Sequence, residues 1–198
     1  MPHARLLLSL LLFAPLGLAG CADGPVKPDP AAVKTLRETF VLSDEPAAAV
    51  TPLAWREAQE ADQEAEESPS DRVVLTGMVG GMPNPWGAEN ELEFPWKAGE
   101  ATFFLVDPAT AEEFSSHATE EGIEHAEDCP FCSREAATKT TSIAVVTFPS
   151  TDDPSKPAAV DARDLFGLKE GDTVVVQGIA SVKGGVLMVA ADGLYRQP

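Results

Sequence analysis

Five short runs of β-branched and aromatic residues constrain the fold of this chain more than any other feature. They are Val73 to Val79, Ala101 to Val106, Ser142 to Phe148, Thr173 to Val182 and Val186 to Ala191. Val, Ile, Phe and Thr at such lengths suit a pleated, half-buried surface, so each run is read as a strand. Lys183-Gly184-Gly185 joins the last two as a tight hairpin, because glycines accept the positive φ that such turns need. One short helix is predicted between the third and fourth strands. Asp161 caps it, Leu165 and Phe166 face inward, and Gly167 stops it. The expectation is a mainly β domain over 72–198, with a small β-sandwich as the rival arrangement.

Composition narrows what such a domain can bind. At 198 residues the chain has room for one ordinary domain plus extensions. Its formal charge is −18, with 14 Lys+Arg against 32 Asp+Glu. That balance argues against nucleic acid, where affinity comes from Lys and Arg displacing counterions from phosphate. It argues equally against docking on anionic lipid by charge alone. Three cysteines are too few for a disulfide scaffold.

The arrangement of the five strands, with a helix between the third and fourth, resembles the OB-fold, a small Greek-key barrel. Its most OB-like stretch is Asp164 to Asp172 leading into Thr173-Val174-Val175-Val176-Gln177-Gly178. The resemblance implies a five-stranded OB-fold-like Greek-key barrel, with a helical and loop insertion (107–141) between strands two and three.

The first twenty residues read as an address. Arg5 and the amino terminus supply positive charge, and Leu6 to Phe13 form a short apolar run. A bilayer-spanning helix needs ~20 apolar residues, so this run fits an export signal rather than an anchor. Leu18-Ala19-Gly20-Cys21 then resembles the lipobox of bacterial lipoproteins. That resemblance implies cleavage before Cys21 and acylation of its thiol, with the lipid anchor making the membrane a partner. Ala22 and Asp23 lean towards the periplasmic face of the outer membrane by the sorting rule of enteric lipoproteins. The whole chain also resembles lipid-anchored OB-like proteins of environmental bacteria, a resemblance that implies no activity. The expected organisation is a signal peptide (1–20), a lipidated proline-bearing tether (21–35), an acidic, partly helical arm (36–71) and the barrel. Within the arm, the apolar clusters Leu36, Phe40, Val41, Leu42 and Val50, Leu53, Trp55 are expected to pack on the domain, whereas 56–71 hold one basic and seven acidic side chains and read as a solvated spacer without EF-hand spacing.

Two departures from a minimal barrel carry the functional question. The loop over 80–100 is long and holds Trp86, Phe94 and Trp96. Aromatics at a barrel mouth stack on ligands, but Glu89, Glu91, Glu93 and Glu100 repel phosphate, so a protein, peptide or glycan partner is chemically more reasonable. The bland alternative is that these rings plug the barrel end or anchor the loop.

The insertion is the other departure. Thr110 and Glu113 are read as a capping box, opening a helix over 111–121 that bears His117. His125, Cys129 and Cys132 follow within sixteen residues of His117. Neutral imidazoles and thiolates are zinc ligands, and copper competes for the same soft set. Cys129-Pro130-Phe131-Cys132 also looks like the active-site tetrapeptide of glutaredoxins, which implies thiol–disulfide exchange. Glu127 and Asp128 oppose thiolate formation there. A plain Cys129–Cys132 disulfide in an oxidising compartment is the third reading. There is no Gly-x-Ser-x-Gly, phosphate loop or dinucleotide fingerprint, and one of the three histidines, His3, lies in the leader. The expectation is therefore a non-enzymatic, lipid-anchored envelope binding protein with a possible zinc or copper site, and a thiol–disulfide oxidoreductase is the enzymatic alternative.

Overall fold

The computed structural model describes residues 28–61, 72–86, 93–120 and 130–198. In chain order the elements are α1 (Pro30–Phe40), α2 (Pro52–Ala61), β1 (Arg72–Val79), β2 (Thr102–Val106), α3 (Pro108–Glu120) and α4 (Pro130–Thr138). A single 3-10 turn (Thr140–Ser142) then leads into β3 (Ile143–Thr147), α5 (Ala162–Phe166), β4 (Thr173–Lys183) and β5 (Val186–Arg196). The five strands form one mixed sheet whose hydrogen bonds close a ring in the order β1-β2-β3-β5-β4. Only the β3–β5 pair is parallel, running from Ala144↔Leu187 to Thr147↔Ala190. Helix and strand hold comparable shares of the described residues, which corrects the mainly β expectation. The barrel wall is strand, but the described parts of the arm and of the insertion contribute the helices α1 to α4.

Alternation explains the wall. Along β1, Val73, Leu75, Gly77 and Val79 are buried while the residues between them reach the surface. Leu75, Phe103, Leu105, Val146, Val174 and Leu187 meet in the barrel interior, each under 2% exposed. β2 is buried on both faces. Its outward Phe104 and Val106 join a second apolar cluster with Met82, Ala111, Phe114, Ala136 and Ile143. The insertion helices thus cover the outer face of β2 and β3.

Four strands end within one residue of their expected limits, whereas β5 runs on to Arg196 past Asp192-Gly193. A register shift at Gln177/Gly178 makes this possible. Gln177 faces Gly193 and Gly178 faces Ala191, so the register skips Asp192. A Cβ at Gly178 would stand 2.3 Å from the Ala190 carbonyl oxygen, so the strands approach this closely only with glycine there. Asp192 turns out to a forked pair with Arg72 at 2.7 and 3.0 Å. The hairpin turn forms as expected, with Gly184 at φ 57° and Gly185 at φ 83°. The expected helix between β3 and β4 is α5. Asp161 caps it and Gly167 ends it at φ 68°.

The arm is strapped along the barrel. Asp29 caps α1 by accepting from the Ala31 N–H, so helix begins inside the stretch read as a tether. Val33, Leu36 and Phe40 share one face of α1 and pack on the core. Phe40 sets its ring edge-on to Phe148 at 5.1 Å. The chain then adds one bridge to each of two strand edges, Val41 beside Leu194 and Val50 beside Leu75. α2 follows, with Trp55 buried and the Arg56 guanidinium donating to the Gly185 carbonyl at 3.1 Å. Residues 62–71, the rest of the acidic spacer, lie outside the described residues, as do the signal, Cys21 and the first part of the tether. Among the described residues, no helix is long and apolar enough to cross a membrane.

Candidate functional site

The insertion leaves the barrel at Val106 and returns at Ile143, two residues that face each other across the β2–β3 ladder. Its first helix starts earlier than the capping-box reading placed it. Pro108 supplies a preset φ for the opening turn, and the buried Asp107 carboxylate accepts from the Ala109 N–H at 3.0 Å. Asp107, not Thr110, is therefore the cap, and Thr110 is buried within α3. Glu113 is thereby freed for another task, an ion pair with Lys139 at 2.9 Å. Phe114 and Ala136 sit in the same apolar cluster against β2 and β3. α3 and α4 are thus both fastened to the sheet, and Ser142 closes the return by donating its hydroxyl to the Lys139 carbonyl at 2.6 Å.

His117 belongs to the last turn of α3 and Cys132 to the first turn of α4. His125 and Cys129 fall outside the described residues. The described residues contain no group of three or more His, Cys, Asp or Glu side chains arranged to hold a metal. α4 opens at Pro130, the residue that follows Cys129 in sequence.

The three aromatics of the long loop divide into two sets. Trp96 is 7% exposed and packs on Phe103 of the barrel interior, ring centroids 6.4 Å apart. Trp86 and Phe94 are half-buried on the outer face of β2, each with its ring about 5 Å from Phe104 (5.2 and 5.1 Å). Trp86 and Phe94 therefore keep surface to offer a partner, and Trp96 keeps very little.

A charged clamp holds the end of this loop, and the sequence reading missed its cation. Asp161, already the cap of α5, takes a forked contact from Arg163 at 2.9 and 2.7 Å. The Arg163 guanidinium lies 5.6 Å from the centre of the Trp96 ring and 3.4 Å from Glu93. Asp161 also accepts from the Gly99 N–H at 3.4 Å. The hydrogen bonds from Arg163 hold the Asp161 carboxyl below the usual carboxylate range, against the opposing effect of partial burial. Asp161 raises Arg163 above its ordinary value, so the guanidinium stays charged throughout. The spacing Asp-x-Arg at a helix cap was the available signal; the loop partners, some seventy residues upstream, left none.

No protein-family model and no curated protein matches the chain.

Proposed function

We propose that the chain is a lipid-anchored cell-envelope binding protein. An OB-type Greek-key barrel, acylated at Cys21, carries an insertion that coordinates zinc or copper. The closed five-strand ring with a helix between β3 and β4 supports the OB-type reading. One observation supports the metal reading above the rest. Two helices that share one apolar cluster with β2 and β3 carry His117 in the last turn of one and Cys132 in the first turn of the other. The short segment joining these turns supplies His125 and Cys129. Two imidazoles and two thiolates are a tetrahedral zinc set, and copper accepts the same donors. The half-exposed Trp86 and Phe94 offer an apolar contact for a protein, peptide or glycan partner. Net charge disfavours nucleic acid.

A second reading draws on the start of α4 at Pro130. A thiol at a helix amino terminus is acidified and reactive, which suits a thiol–disulfide oxidoreductase acting through Cys129 and Cys132.

The test is a metal titration of the reduced, detergent-purified chain. One zinc or copper ion per chain is expected, with binding weakened at least tenfold by His117→Ala and by Cys132→Ser. Absence of uptake after reduction overturns the metal reading. Turnover of a model disulfide with a reductant, lost in Cys129→Ser, would select the oxidoreductase instead.

A further inference from the structure

The way α1 is fastened bears on how the domain is carried. We infer that the end of the barrel bearing α1 and α5 is held at the membrane surface. The insertion is then presented away from the bilayer, to partners dissolved in the surrounding aqueous phase. This inference rests on the acylation of Cys21 proposed above.

The leash is short. α1 is capped at Asp29, so eight peptide steps separate it from Cys21. At ~3.5 Å per residue when fully extended, they span at most about 28 Å. The helix that the leash joins is fixed to the domain. Arg37 donates to the Leu165 and Asp164 carbonyls at 2.5 and 2.6 Å, Phe40 packs on Phe148, and the Leu42 N–H donates to the Leu194 carbonyl at 2.8 Å. The arm is therefore part of the domain, not slack between domain and lipid.

These attachments also place α1 at one end of the barrel. In the β2–β3 ladder, Thr102 faces Thr147 at one end and Val106 faces Ile143 at the other. Phe148 follows Thr147, and Phe166 of α5 packs on it at 4.6 Å, so α1 and α5 lie past the Thr147 end. The insertion departs from the Val106 end, about 13 Å away for four strand steps.

Charge acts in the same direction. Residues 22–40 hold three basic and three acidic side chains. The insertion, 107–141, holds two basic and nine acidic side chains. An anionic leaflet repels the insertion more strongly than it repels residues 22–40.

The experiment uses full-length acylated protein in phosphatidylethanolamine/phosphatidylglycerol vesicles that carry an acceptor dye on a headgroup. A donor is attached at Thr35→Cys on α1 or at Thr141→Cys beside the insertion's return, both in a Cys129→Ser/Cys132→Ser background. Both positions are exposed. Energy transfer is expected to be stronger from position 35. It should be lost from both positions when a long Gly/Ser segment is inserted between Ala22 and Asp23. Equal transfer from the two positions, or stronger transfer from 141, on protein whose acyl chains are verified by mass overturns the orientation alone. A bare Cys21 on chains that fail to bind vesicles overturns the orientation and the anchor together.

Discussion

Ala48 is the one described residue other than glycine with a positive φ, at 61°. A left-handed backbone costs an L-residue about 1–2 kcal/mol, and glycine avoids that at an entropic cost of ~0.5–1 kcal/mol. Ala48→Gly is therefore expected to raise the unfolding free energy by about 0.5–1 kcal/mol, read from thermal or urea melts. A loss of stability would mean that the turn between the two edge bridges does not hold this conformation. The Asp161–Arg163 clamp makes a second prediction at this scale. The folded-state pKa of Asp161 lies below its unfolded value, so its contribution is present above the unfolded pKa of about 3.9 and fades as pH falls through the folded one. Asp161→Asn keeps a capping side chain but removes the charge. It should lower stability at neutral pH and flatten the acid limb of the stability profile below about pH 4. An unchanged acid limb would show that the clamp contributes nothing to the folded state.

Among the elements, α1 separates a strapped arm from a loose one. Phe40 is 5% exposed and lies against Phe148. Phe40→Ala should cost about 3 kcal/mol or more in urea melts, within the usual range for a core Phe. An unchanged midpoint would show that Phe40 does not hold α1 on the core. The strands and α5 were legible because their signals are local: alternation, a capping Asp, a stopping Gly, a glycine pair. That the clusters around Leu36 and Phe40 and around Val50 and Trp55 pack on the domain was legible too, but where they pack was not, because their partners at Leu75, Phe148 and Leu194 are far along the chain. Asp107 was overlooked as a cap because Thr110 and Glu113 mimic a capping box three residues on. The continuation of β5 past Asp192-Gly193 depends on a register shift in a different strand, which no local pattern announces. Of the candidate metal set, the types and spacing were readable in sequence. That both flanking helices are moored to one sheet face became visible only through the Glu113–Lys139 pair and the second apolar cluster.

For the whole molecule, the closed ring leaves few bare strand edges, and the arm adds a bridge at two places where a neighbouring strand has run out, beside Leu75 and Leu194. Half of the 32 acidic residues fall in 56–71 and 107–141, outside the five strands. The proposed role depends on where the barrel is delivered. Export would place Cys129 and Cys132 where thiols meet oxidants and metals, and acylation would keep the barrel at a surface. The intact mass of the protein extracted from native membranes tests this most directly. The expected result is a chain beginning at Cys21 and bearing two or three fatty acyl groups. A chain that still begins at Met1, with an unmodified Cys21 thiol, would contradict it.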